Sequence, residues 1–202
     1  MLAQHKIKHL HRDDKLKRVM EATILSWSEV YRDVYSQLIR SIVYQQLSTK
    51  AATTIYGRFM LLFPDDYPVA EQILNMDMEE LRAVGLSRQK AAYIRNVAAF
   101  FLEEELFDVD WDTKSNEEIL HLLTQIKGVG KWTVQMLLMF TLEREDIFPV
   151  NDLGIQQAMI RLYGLEGDKK SILKQMEALA EPWRPYRTLA CFYLWQWKDE
   201  KP

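Results

Sequence analysis

Apolar residues recur along this chain at the three-and-four spacing of helices, and no segment sustains the two-residue alternation of a half-buried strand. Leu38, Ile39, Ile42 and Val43 make one stripe, and Ala51, Ala52, Ile55 and Phe59 a second, so residues 35–63 read as helix, short turn, helix. Ser48 is placed to cap the second helix, its hydroxyl accepting from the N–H of Ala51. Pro64 and Pro68 punctuate a loop, and a short helix then starts at Asn75 or Asp77 and runs through Val84. Gly85 ends it, and Ser87 opens another that carries Ala91, Ile94, Val97, Ala98 and Phe101. The acidic stretch that follows, with Trp111 and Asp112, reads as loop. Ser115 and Glu118 have the spacing of a capping box for a helix over 116–126. An apolar helix over 132–142 comes next, then one opened by Asp152 and closed near Gly164. A final pair spans 169–180 and 186–197, separated by Pro182 and Pro185. The pattern predicts an all-α protein of roughly ten helices, with no flexible linker and no low-complexity tract.

Composition narrows the function classes. A chain of 202 residues supports one substantial domain or two small lobes. Its net charge of −3 means that any nucleic-acid contact must come from a local basic face. Cys191 is the only cysteine, which excludes an internal disulfide and a four-cysteine iron–sulfur cluster and fits a reducing, intracellular location. On its apolar helix it reads as buried and inert. The apolar run near Val134 to Phe140 is interrupted by Gln135 and is far too short for a bilayer, and an N-terminus mixing His, Lys and Asp is not a secretory signal. His5, His9 and His11 have loose ligand spacing but no carboxylate or cysteine before Asp13, so the stretch 5–18 reads as a basic segment able to attract a polyanion rather than a metal site. Glu103, Glu104 and Glu105 read as a solvated face.

Two motifs carry chemistry. The first is Ile126-Lys127-Gly128-Val129-Gly130-Lys131-Trp132-Thr133. Two glycines flanking one apolar residue permit a tight reversal with positive φ and close backbone approach. The helix that starts there presents its first N–H groups and positive dipole end together. A phosphate oxygen fits that place, with Lys127 or Lys131 adding charge, and such a contact holds a nucleic-acid backbone without reading bases. An ordinary corner between helices is the plainer meaning of a lone Gly-x-Gly. Gly85-Leu86-Ser87-Arg88 is a weak echo of the same pattern, with Arg88 and Lys90 as either a second backbone contact or solvated charges. The second motif is Phe148-Pro149-Val150-Asn151-Asp152-Leu153-Gly154, whose aspartate serves as a helix N-cap, a catalytic carboxylate, or both.

In this order and spacing the motifs resemble the helix–hairpin–helix–GPD superfamily of DNA glycosylases, best in its 3-methyladenine DNA glycosylase II (AlkA-like) branch. Ile42-Val43-Tyr44-Gln45-Gln46-Leu47-Ser48-Thr49-Lys50-Ala51-Ala52 and Pro182-Trp183-Arg184-Pro185-Tyr186-Arg187 extend the resemblance over nearly the whole chain from Tyr35. It implies a single all-α domain over 1–202 with two lobes, about 36–126 and about 1–35 plus 127–202, lacking the extra N-terminal β domain of larger members. It implies base excision repair: a target base is flipped out of the duplex and excised by hydrolysis, leaving an abasic site. Asp152 is then the catalytic carboxylate, stabilising an oxocarbenium-like sugar and orienting water. One carboxylate suffices when the leaving base is already cationic, as N-alkylated purines such as 3-methyladenine are. Members that also cut the strand carry a nucleophilic lysine where this chain has Trp132, so a monofunctional enzyme is expected.

The same resemblance assigns Gly128, Gly130, Lys131, Lys127 and Thr133 to the DNA backbone. Leu47 becomes the wedge filling the emptied stack, with Gln45 and Gln46 beside the gap. Trp132, Tyr44, Phe192 and Trp195 become base-pocket aromatics suited to a cationic base, although each of the last three is equally readable as core. Met136 and Leu153 stand where an AlkA-type pocket is aromatic, and Trp183 and Tyr186 read as structural. No cofactor or metal is expected for the chemistry, and a hairpin carbonyl turn can hold a structural monovalent cation. The expected partner is double-stranded DNA containing damaged bases, with no membrane, acted on by a monomer in the cytoplasm, nucleoid-associated if bacterial. The alternatives are a glycosylase for hypoxanthine, ethenoadenine or oxidised purines, a non-catalytic DNA-binding module, and a helical protein-interaction domain.

Overall fold

The computed structural model describes residues 4–25 and 32–199, and these form α-helices joined by turns and short 3-10 segments, with no strand among them. Twelve α-helices run in order: α1 Gln4–Leu10, α2 Asp14–Ala22, α3 Val34–Tyr44, α4 Thr49–Met60, α5 Ala70–Asn75, α6 Met78–Ala83, α7 Arg88–Glu103, α8 Asn116–Leu123, α9 Lys131–Phe140, α10 Leu153–Tyr163, α11 Lys169–Ala180 and α12 Arg187–Asp199. The all-α expectation and most boundaries hold within a few residues. Among the described residues no helix is long and apolar enough to cross a membrane. Two compact units divide the chain, Val30–Leu142 and Met1–Glu29 with Glu143–Pro202. The expected division fell between 126 and 127, whereas α9 packs on α3 and α8 and therefore belongs with the middle unit.

In the Val30–Leu142 unit, α7 is the central helix, packed against α3, α5 and α6. Its periodic residues Ala91, Ile94, Val97, Ala98 and Phe101 are all buried, as their spacing predicts. Phe101 and Tyr35 stack at 5.1 Å between ring centres, in a core with Leu38, Ile39, Ile42 and Phe59. The expected caps form: Ser48 accepts from Ala51 N, Ser87 from Lys90 N, and Ser115 with Glu118 closes a capping box. Helix α5 was not expected from the pattern. Six residues are too few to show a helical period, and its C-terminal carbonyls are held from outside by Arg95, which donates to Leu74 O at 2.9 Å and Met76 O at 2.7 Å.

In the other unit, α10 packs against α12, α11 and α2. Asp13 organises it. One carboxylate oxygen caps α2 through Lys15 N and Leu16 N, and the other accepts from Tyr163 Oη at 2.6 Å and Trp183 Nε1 at 3.1 Å. Burial, reinforced by that carboxylate, pushes the Tyr163 hydroxyl's pKa well above its ordinary value. Helices α1 and α2 also went unpredicted, because basic residues dilute their apolar stripe. His5 and His9 set their rings edge-on to Tyr186, at 5.7 and 5.4 Å, and His9 Nε2 donates to Pro182 O. These histidines serve helix packing.

Candidate active site

Within the Val30–Leu142 unit the glycine motif forms a hairpin between α8 and α9. Gly128 has φ near +110°, and a Cβ there would lie 2.3 Å from Tyr93 Cγ, so only glycine lets this backbone rest on the tyrosine ring. Val129 is buried beneath the turn and its N–H donates to Ile126 O at 3.0 Å. Gly130 differs from expectation: its backbone is extended (φ −96°, ψ 167°), and a Cβ there would meet nothing within 4 Å. Its role is openness. It is the N-cap of α9 and brings no side chain to that helix end. The first α9 hydrogen bond back to the turn is Val134 N to Gly130 O, so the N–H groups of residues 131–133 are those a helix leaves outside its own ladder. Beside them lies an open groove of about 540 Å³ lined by Leu120, His121, Thr124, Val129, Gly130 and Lys131, with Glu117 as its acidic wall. Lys131 is exposed on the first helical position. The Thr133 side chain is buried, so what that residue offers at this end is chiefly its backbone N–H.

The turn between α3 and α4 sits in the same unit. Leu47 is 39% exposed, a large apolar side chain at a turn tip. Gln46 is exposed and holds φ near +57°, a left-handed conformation uncommon outside glycine. Gln45 does not project toward the tip: its amide donates to Gly128 O at 3.2 Å. Lys90 is likewise spent inside, its ammonium donating to Val43 O at 2.7 Å, and desolvation lowers its pKa. The expected second backbone contact at Lys90 is thus replaced by a cap on α3. Tyr44 is half-buried, hydrogen-bonded to Thr53 at 3.0 Å with the Arg40 guanidinium 5.1 Å above its ring. Trp132, by contrast, is 47% exposed on the second position of α9, with half-buried Met136 one turn further on.

Within the other unit, Asp152 is the N-cap of α10 and only 9% exposed. Its Oδ1 accepts from Ile155 N at 2.9 Å and from Trp195 Nε1 at 2.7 Å. The two donors together orient the carboxylate. Trp195, expected as a pocket wall, is therefore also a direct partner of the carboxylate, with Phe192 beside it at 6.1 Å. Gly154 makes the contact sterically available, since a Cβ there would fall 2.8 Å from Trp195 Cδ1 and 3.1 Å from Asp152 Oδ1. Sequence reasoning missed this role of Gly154; a glycine inside a helix, a poor helix former, was the one signal that could have pointed to it. Leu153, next to the carboxylate, is 66% exposed.

The segment leading to Asp152 is strapped to α12, a feature that motif reading did not reach. Arg187 donates from Nε to Asp146 Oδ1 at 2.5 Å and from Nη2 to Asp146 O at 3.1 Å. The buried Thr188 hydroxyl donates to Arg144 O at 2.6 Å and accepts from Ile147 N at 3.0 Å. Cys191 is fully buried over Ile147 O, and burial, with the nearby Asp152 charge, pushes its thiol's pKa up, so it is inert as a nucleophile. Positions 187, 188, 191 and 195 lie on one face of α12, which thus holds residues 144–152 at several points.

Known proteins resemble this chain in sequence and fold. The family model described as HhH-GPD superfamily base excision DNA repair protein matches residues 39–185. DNA-3-methyladenine glycosylase 1 of Schizosaccharomyces pombe is 38% identical over 169 residues, covering 82% of this chain and 72% of that one. The crystal structure of a DNA-3-methyladenine glycosidase from Bacillus halodurans superposes with a TM-score of 0.82 at 35% identity, over 95% of this chain and 87% of that one. The 3-methyladenine DNA glycosylase of Schizosaccharomyces pombe solved in complex with abasic DNA gives 0.79 at 34% identity, over 95% of each chain. A family match over most of the chain, on a helical frame carrying the glycine hairpin and the capping aspartate, means that this chain belongs to the HhH-GPD superfamily of base excision DNA repair proteins.

Proposed function

We propose that this chain is a monofunctional DNA glycosylase that flips N-alkylated, cationic bases such as 3-methyladenine out of double-stranded DNA and excises them by hydrolysis. The observation that carries this is Asp152, a largely buried carboxylate oriented by a backbone N–H and an indole N–H, in a chain 38% identical to a 3-methyladenine glycosylase. The C1′–N bond breaks with its electron pair leaving on the base, so a cationic base departs neutral without a general acid. Positive charge builds on the sugar, and the Asp152 carboxylate stabilises it. Water adds to C1′ and gives up one proton, leaving an abasic site.

The α9 N-terminus, with Lys131, is suited to a DNA phosphate through backbone N–H groups and dipole, a sequence-independent grip. Leu47 is the wedge by its exposure at a turn tip, and Trp132 is the exposed aromatic best suited to stack on a cationic base. Trp132 also occupies the place where strand-cutting relatives carry a lysine, which supports hydrolysis without strand cleavage. No cofactor enters the reaction. A monovalent cation at the hairpin would be structural, and would find the carbonyls of Ile126, Lys127 and Gly128 each already accepting one hydrogen bond.

The test is free-base release from methylated duplex DNA by wild type and Asp152→Asn. Asparagine caps a helix about as well as aspartate, so the fold survives the change. Release by wild type, lower in the variant by on the order of 10²–10³-fold or more, with strands intact until alkali is added and binding retained, is the expected result. Tight, salt-sensitive binding without release from wild type would sink the alkylbase assignment.

A further inference from the structure

The turn that carries Leu47 and the hairpin that carries Gly128 lie 83 residues apart in the sequence, yet one side chain joins them directly: Gln45 Nε2 donates to Gly128 O at 3.2 Å. Both elements also rest on a single face of α7. Lys90 donates to Val43 O, the last turn of α3 before the wedge. Tyr93, one turn on, is the ring against which Gly128 lies with no room for a Cβ. Asn96, a further turn on, donates to Lys127 O at 3.0 Å. Residues three apart share a helix face, so α7 offers three successive seats, one under the wedge turn and two under the hairpin. The wedge turn is itself held in an unfavourable backbone conformation at Gln46, which persists only where neighbours over-determine it.

We infer that Gln45 is a positioning residue that locks the wedge turn to the phosphate-gripping hairpin, so that Leu47 enters the duplex at a height set by the phosphate held at α9. This rests on the glycosylase function proposed above. An amide is required: it must donate to a backbone carbonyl, and a carboxylate of the same shape has no N–H to give and repels that oxygen. A wedge with a loose base would still touch DNA, because the grip is electrostatic and made elsewhere, but it would fill the emptied stack poorly. Gln45 therefore acts on base extrusion and not on affinity, in contrast to Gln46, whose side chain is exposed.

The experiment compares wild type with Gln45→Met, Gln45→Glu, Leu47→Ala and the Gln45→Met/Leu47→Ala double variant. Three quantities are read: affinity for an abasic-analogue duplex, single-turnover base release from methylated DNA, and amide hydrogen exchange of the free protein. Gln45→Met and Gln45→Glu are expected to bind within about threefold of wild type and to release base at least about tenfold more slowly. Adding Gln45→Met to Leu47→Ala is expected to cost little more than Leu47→Ala alone, since both act through one wedge. Exchange is expected to rise together in residues 44–47 and 126–132 of the Gln45 variants. Full activity in Gln45→Met, multiplicative losses in the double variant, or unchanged exchange would each overturn the inference. The exchange result does not depend on activity, so if wild type releases no base the glycosylase function fails while the structural lock is still decided.

Discussion

Two turns in the Val30–Leu142 unit share almost the same backbone and differ in one atom group. In Gly85-Leu86-Ser87-Arg88 and Gly128-Val129-Gly130-Lys131, the first glycine has φ near +107° or +110°, the apolar residue is buried, and the third residue is an extended N-cap before a basic first helical residue. The difference lies at the cap. Ser87 turns its hydroxyl back to accept from Lys90 N, so α7 satisfies its own N-terminus. Gly130 has no side chain to cap α9, and a Cβ there would meet nothing within 4 Å. One folding device thus serves structure in the first turn and, in the function proposed, binding in the second. A serine hydroxyl separates the two uses.

The largest expected effect comes from Gly128→Ala, because the new Cβ meets the Tyr93 ring and φ is left-handed. Strain and overpacking together should cost on the order of 3 kcal/mol, read by denaturant unfolding, and DNA affinity should fall as well because the hairpin moves. Gly85→Ala meets only the Ile55 side chain, whose Cγ1 at 3.1 Å must give by a few tenths of an ångström. It should cost about 1–2 kcal/mol and leave DNA affinity intact; an equal loss of affinity would mean that both turns bind DNA. Next is the charge beside each cap. Lys131→Gln should reduce the slope of log affinity against log salt by about 1, whereas Arg88→Gln should leave that slope alone. Gly130→Ser installs at the second turn the cap of the first: α9 should gain roughly a few tenths of a kcal/mol while affinity for an abasic-analogue duplex drops. Unchanged affinity there would remove the helix end from the binding surface. The smallest effect is Ser87→Gly, a loss of a few tenths of a kcal/mol with no gain in DNA binding.

Local signals proved readable where their physics is local. Ser48, Ser87, Ser115 with Glu118, and Asp152 each cap a helix whose first N–H groups lie within three residues, and Gly164 ends α10 in the left-handed conformation that favours glycine. Signals spread over long separations were not readable. Arg95 finishing α5, Asp13 joining α2 to Tyr163 and Trp183, and Lys90 capping α3 look in sequence like ordinary surface charges. Gln45 sat in a recognisable motif, yet its hydrogen bond to Gly128 O was not readable, because the motif fixes its position on the turn and says nothing of the carbonyl that packing brings to it. The strap of Arg187 and Thr188 on residues 144–147 was hidden for the same reason.

Sequence alone determined most of the longer helices, several of their caps, the glycine hairpin and the candidate carboxylate, since periodicity, capping and backbone freedom act over a few residues. Tertiary structure decided that Trp195 and Gly154 shape the surroundings of Asp152 and that Gln45 belongs to the hairpin. Those outcomes depend on side chains tens of residues apart meeting within about 3 Å, the range at which a hydrogen bond has its strength, and only a packed core places them there.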